Sequence, residues 1–162
     1  MPILVAAPEE GPAPFAVDAR VREEDRWLVL SAPPEVRDRA INPLAVFTAT
    51  AEAEPAALGA VVVQPGTPLL LLAVVHDLDR DPTVTVADVE RALAGVVACC
   101  RERRLARIAL PLLGLRHGRP DRDAVIAATA RALADAPEIA AVWLVTDEAA
   151  DLVALQARWP SR

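Results

Sequence analysis

From Gly59 onward the sequence alternates between short apolar runs and amphipathic stretches, and that alternation constrains the fold more than any other feature of the chain. Gly59 to Gln64 reads as a strand, Pro65-Gly66 as a turn, and Pro68 to His76 as a buried strand, so the three together predict a hairpin. Thr85 is a good N-cap, with Asp88 three residues later as its capping partner. Val86, Val89, Leu93, Val96 and Cys100 follow at spacings of three and four, which is one apolar face of a helix reaching to about Arg104. Arg107 to Leu112 reads as another strand, followed by the loop Leu113 to Arg119. Pro120 opens the next helix, with Val125, Ile126, Thr129 and Leu133 on its inner face. Ile139 to Val145 is the last strand, and Asp147 caps a final helix from Glu148 to Arg158. Strand and helix in turn predict a mostly parallel sheet with helices on both faces. The expected class is α/β: a three-layer α/β/α sandwich with a mixed, centrally parallel sheet. No linker divides the chain, so residues 1–162 are expected to form one domain. Apolar residues make up 54% of the sequence, enough for one core without a disulfide or metal staple.

The first third carries weaker signals. Ile3 to Ala7 reads as a short strand and Pro8 to Pro14 as a turn-rich connection. Phe15 to Val21 predicts a second strand, Arg22 to Arg26 a charged turn, and Trp27 to Leu30 a third strand. Pro33-Pro34 starts a short helix, Asn42-Pro43 interrupts it, and Leu44 to Ala53 predicts another.

Composition excludes several function classes. All 17 basic residues are Arg, and the net charge is −6. An acidic chain without a basic stripe is not built for nucleic acid. The most apolar stretch, Leu58 to Val75, is broken by Gln64, Pro65, Gly66, Thr67 and Pro68, so no membrane span is expected. Met-Pro-Ile-Leu-Val has no basic region before it and does not read as a signal peptide; the expected location is the cytoplasm. The Arg, Ala and Pro bias is that of a GC-rich, bacterial genome. Cys99 and Cys100 point about 100° apart on a helix, so they neither pair nor chelate together. They read as one buried small side chain beside a more exposed one. Asp77, Asp79 and Asp81 alternate but lack the Gly and distal Glu of a calcium loop, so no metal or other cofactor is expected. No nucleophile stands out: Ser31 and Ser161 lie in no elbow motif, and both cysteines are mid-helix. His76 ends a buried strand and reads as a hydrogen-bonded structural residue.

The stretch from Gly59 to Trp159 resembles macro domains in the order and character of its motifs. Leu72-Ala73-Val74-Val75-His76 is similar to the family's strand that ends in an apolar pair and a His. Arg107-Ile-Ala-Leu-Pro-Leu-Leu-Gly114 resembles its "serine-isoleucine-alanine-leucine-proline" strand and glycine loop, with Gly118 and Pro120 closing that loop. Val142-Trp-Leu-Val-Thr-Asp147 resembles its last strand. The first third departs from the pattern. Asp18-Ala19, with Asp25 seven residues on, stands for the family's Asp-Ile and second Asp. Arg26 to Pro33 then takes the place of the strand ending in Asn-Ala-Ala-Asn, without either asparagine. No Gly occurs between Gly11 and Gly59, where the family has a glycine-rich phosphate loop.

The resemblance implies a site at Asp18, Ala19, Gly114, Leu115, Arg116, His117, Gly118 and Arg119. Asp18 is the family's acceptor for the adenine amino group; read alone, it is a solvated strand-end carboxylate. Gly114 to Pro120 places two Arg and a His before a helix N-terminus, an arrangement that attracts anions. The competing reading pairs those Arg residues with Asp121 and Asp123. Three functions follow. The first is a non-catalytic module binding an ADP-ribose-like or other phosphorylated ligand. The second is a structural or protein-interaction domain that has lost its ligand. The third, an ADP-ribosyl hydrolase, is disfavoured by the missing asparagines. The expected partners are accordingly an ADP-ribose or nucleotide-like ligand, or a protein, and neither nucleic acid nor a membrane.

Overall fold

A computed structural model describes residues 1–31 and 54–160. Its elements are β1 (Ile3–Ala7), β2 (Ala19–Asp25), β3 (Val61–Gln64), β4 (Leu69–His76), α1 (Val86–Arg103), β5 (Arg107–Pro111), α2 (Arg122–Ala134), β6 (Ala141–Val145) and α3 (Ala149–Ala157). The strands form one sheet in the order β1-β6-β5-β2-β4-β3. Every neighbouring pair is parallel except the β3–β4 hairpin. The α/β class and the mixed, centrally parallel sheet are therefore as the alternating sequence predicts. The two short helices expected between Pro33 and Ala53 lie outside the described residues, as does Ser161. No described helix is long and apolar enough to cross a membrane.

The register sorts side chains onto two faces. Leu4, Val142, Ile108, Ala19 and Leu69 line up across five strands, and the core formed by their face is covered by α1, α2 and α3. The other face carries the row Val5, Trp143, Ala109 and Arg20, with Arg22 and Glu24 further along β2. Trp143 and Ala109 are nevertheless buried there. Helix α1 presses on the sheet so closely that a Cβ at Gly95 would collide with the carbonyl oxygen of Gly59.

The first third differs most from expectation. The predicted strand Phe15–Val21 is shifted toward the C-terminus: β2 begins at Ala19 and runs on through the supposed charged turn to Asp25, and Trp27–Leu30 forms no strand. Trp27 to Leu30 instead wraps around the end of β2. The Asp25 carboxylate accepts the N–H groups of Trp27 and Val29 at 2.7 Å and of Leu30 at 3.0 Å. That curl places Leu28 at a φ of 57°.

Two caps also move. Asp121, rather than Pro120, starts α2, its side chain accepting the Ala124 N–H at 2.7 Å. Asp147 does not cap α3; Glu148 holds the N-cap position, and the Thr146 hydroxyl donates to Asp151 at 2.5 Å.

Both cysteines are buried, Cys99 as well as Cys100. Burial, followed by the neighbouring Cys99, pushes the Cys100 thiol up to about 12. Thiolate is the reactive form. Native protein at pH 8 is therefore expected to resist an aromatic disulfide reagent, with both thiols reacting once urea unfolds the chain. Stoichiometric labelling before unfolding would contradict this packing.

Candidate functional site

The next strand after β5, β6, lies on one side of it in the sheet, and the next strands after β2, β3 and β4, lie on the other, which makes the β5–β2 boundary a switch point. Open α/β sheets leave a crevice there, outside the carboxyl ends of the strands. This chain has one, of about 240 Å³, with β2 and β5 as its floor and Leu30, Ser31, Arg116 and His117 among its walls.

Three guanidiniums line it: Arg20, Arg22 and Arg116. Arg20 and Trp143 stand in one row, two strands apart, with Ala109 between them. Because that middle residue is small, the Arg20 guanidinium reaches across to lie 4.7 Å from the centre of the Trp143 ring. Among the described residues Arg20 has no carboxylate partner. Arg22 and Arg116 share one carboxylate, Glu9, at 3.5 and 2.9 Å. All three contacts leave the guanidiniums beside the crevice in a chain whose net charge is −6.

The end of β2 is Arg22-Glu23-Glu24-Asp25, and its three carboxylates are buried. Carboxylates tolerate burial when hydrogen bonds replace water. Glu23 accepts the N–H of Gly114 at 2.6 Å and of His117 at 2.9 Å, with His76 Nε2 at 3.2 Å. Glu24 accepts the N–H of Leu30 at 2.8 Å and of Ser31 at 2.9 Å. Burial still pushes the Glu24 carboxyl above its ordinary 4.5, and the neighbouring Asp25 adds to the rise. His76 is fully buried, and its Nδ1 has no partner among the described residues.

The loop after β5 is held by its two glycines. Gly114 has a φ of +86°, and a side chain there would press on Val84 and Val89. A Cβ at Gly118 would collide with Val84 and come within 2.9 Å of the Gly114 carbonyl.

The predicted residues do not gather in one place. Gly114, Leu115, Arg116, His117, Gly118 and Arg119 form the loop after β5, at the crevice end of the sheet. Asp18 and Ala19 stand at the opposite, amino end of β2. The Asp18 carboxylate accepts the N–H groups of Ala106 and Arg107 at 3.0 and 2.8 Å and pairs with the Arg107 guanidinium. Although burial alone would raise its pKa, those bonds hold it below 3.8. Arg116 pairs with Glu9, while Asp121 caps α2 and Asp123 pairs with Arg158. Asp77 binds Arg26 and Arg80, and Asp79 takes the Trp27 indole. The sequence reading passed over Arg20, Arg22, Glu23 and Glu9. The available signal was the alternation of Arg20 and Arg22, which puts both on one face of a strand.

No protein-family model matches the chain, and no curated protein matches it in sequence. Solved structures do match. The macrodomain of Thermus aquaticus DarG is 18% identical with a TM-score of 0.60, over 90% of this chain and 99% of that one. The Mycobacterium tuberculosis DarG macrodomain is 18% identical with a TM-score of 0.61, over 88% and 99%. The Oceanobacillus iheyensis macrodomain, solved with ADP, is 13% identical with a TM-score of 0.60, over 88% and 82%. The fold of this chain is thus that of the macrodomains.

Proposed function

We propose that this chain is a non-catalytic binding module that holds the phosphoryl end of an ADP-ribose-like ligand on the guanidiniums of Arg20, Arg22 and Arg116. The observation that carries the reading is their convergence on a crevice at the switch point of an otherwise acidic chain. A phosphoryl group entering there would compete with Glu9 for Arg22 and Arg116. Arg20, stacked on Trp143, needs no rearrangement to meet it. The ADP seen in the Oceanobacillus iheyensis macrodomain supports the ligand class. Typical pockets for organic ligands have about 300–1,000 Å³. This crevice has about 240 Å³, so it suits one end of such a ligand better than the whole. The absence of catalysis rests on the strand end: Arg22-Glu23-Glu24-Asp25 offers no asparagine, and its carboxylates are already bonded to backbone N–H groups.

A second reading, a protein-interaction domain without a small ligand, is favoured by one specific observation. The loop N–H groups that would meet a diphosphate are taken by Glu23 and Glu24.

Calorimetric titration of ADP-ribose, ADP and pyrophosphate separates the two. Binding is expected, weakened about a hundredfold in the double variant Arg22→Ala, Arg116→Ala, since charge-assisted hydrogen bonds are worth about 1.5–3 kcal/mol each. Rising salt should weaken it further, because both side chains are exposed. No heat from any of the three at millimolar concentration would leave the interaction domain as the reading. Release of ADP-ribose from a modified protein would overturn the non-catalytic part.

A further inference from the structure

We infer that Glu23 is a built-in anion that occupies the backbone cradle of the loop after β5, and that it sets the specificity of the crevice against diphosphates. The inference rests on the binding site proposed above but concerns a different set of donors. Backbone N–H groups in a glycine loop before a helix are the usual partners of a bound anion. Here the Gly114 and His117 N–H groups point to a carboxylate of the chain itself, at 2.6 and 2.9 Å. The Glu23 side chain is 3% exposed. A charged, fully satisfied carboxylate in that position is a strong occupant. It is also tethered, so a free phosphate must compete with a partner whose effective concentration is at least millimolar.

Glu24 gives independent support, because the device is repeated. It fills the N–H groups of Leu30 and Ser31, in the wall across the crevice. Adjacent residues on β2 point to opposite faces, so two consecutive glutamates reach two different loops. Both sets of backbone donors end on the protein's own carboxylates, and among the described residues of the crevice the arginine side chains are what remains for a ligand. Guanidiniums at the rim can hold one phosphoryl group. They do not provide the enclosed backbone cradle that a second, adjacent phosphate would need. The native chain should therefore bind AMP and ADP with similar affinity.

Glu23→Ala opens the cradle and leaves the N–H groups of Gly114 and His117 without an acceptor. Glu23→Gln keeps the volume but can satisfy only one of them. Pyrophosphate is the probe, read by calorimetry and by thermal unfolding. The expected result is a gain of about tenfold or more in pyrophosphate affinity for Glu23→Ala over the native chain, and a smaller gain for Glu23→Gln. Pyrophosphate should also raise the melting temperature of Glu23→Ala by more than that of the native chain. If a variant folds only when pyrophosphate is added, that supports the inference equally. Folded variants with native affinity, or variants that pyrophosphate neither binds nor refolds, would overturn it. The two readings fail separately. A native chain that binds nothing while Glu23→Ala binds pyrophosphate removes the proposed function and keeps Glu23 as the occupant. Arginine-dependent ADP binding with no gain on removing Glu23 does the reverse.

Discussion

Trp143→Ala is expected to lower the unfolding free energy by about 3–5 kcal/mol, the range for deleting a buried aromatic side chain. Trp143 is fully buried, in the middle of β6, on the sheet face opposite the three described helices. Its register neighbours Val5 and Ala109 are both too small to close over the space it would leave. The loss would be chiefly packing. The indole N–H donates to the Ala7 carbonyl at 2.9 Å, but that carbonyl also accepts the Thr146 N–H at 3.1 Å and would not be orphaned. A further contribution of about 0.5–2 kcal/mol comes from the Arg20 guanidinium over the ring. Trp143→Phe keeps an aromatic surface for Arg20 and most of the volume, so its cost should be less than half as large. Urea unfolding followed by circular dichroism measures both. A cost below about 1 kcal/mol for Trp143→Ala would show that this face does not depend on the indole. The same variant bears on function: with its platform gone, Arg20 loses its fixed position, and ADP affinity should fall along with stability.

The second half of the chain was legible because its elements obey the usual rule of apolar inside. The Val86, Val89, Leu93, Val96 and Cys100 stripe gave α1, and the Thr85–Asp88 capping box is present in full. The strands that became β1, β3, β4, β5 and β6 are apolar runs bounded by turn residues. β2 was not legible because it breaks that rule. Ala19 to Val21 fall within the strand expected from Phe15, but the last four residues, Arg22-Glu23-Glu24-Asp25, read as a charged turn. The sequence does not reveal that Glu23, Glu24 and Asp25 are buried, since their burial depends on N–H groups supplied by residues 27–31 and by a loop some 90 residues away. Asp18 entered the expected site through the resemblance alone, whereas its carboxylate stands just before the amino end of β2 and pairs with Arg107, as a strand-end carboxylate would. The loop from Gly114 to Arg119 is legible as a loop because glycines before a helix are a local signal, while its bond to Glu23 is not, because it joins residues far apart in the sequence.

Asp88 completes the capping box of α1, and its removal should be costly in a pH-dependent way. Its side chain is 1% exposed and accepts the Thr85 N–H at 2.9 Å, the Thr85 hydroxyl at 2.7 Å and the Arg80 guanidinium at 2.6 Å. Arg91 approaches its other oxygen at 3.2 Å. Burial alone would raise the carboxyl pKa, but the bonds from Thr85 and Arg80 outweigh it and hold it below 3.8. Breaking a fully buried ion pair costs about 3–5 kcal/mol. Arg80 and Arg91 are 40% and 57% exposed and can take up water, so the cost here should be smaller. About 2–3 kcal/mol is expected for Asp88→Ala, of which the lost cap is about 1. The sign of the pH dependence follows from linkage. A carboxyl whose folded pKa lies below its unfolded value binds fewer protons when folded, so its contribution is complete above 3.8 and is lost as the pH falls through the folded value. The stability gap between the native chain and Asp88→Ala should therefore be widest at neutral pH and close progressively below 3.8. Asp88→Asn, which keeps an acceptor for Thr85 but no charge, should lose mainly the pH-dependent part. Urea unfolding at pH 7 and pH 3 reads all three proteins. A gap of equal size at both pH values would assign the role of Asp88 to the neutral cap alone. The effect should extend to the crevice, since Val84, next to the cap, packs against Gly114 and Gly118 and so supports the loop whose N–H groups bind Glu23.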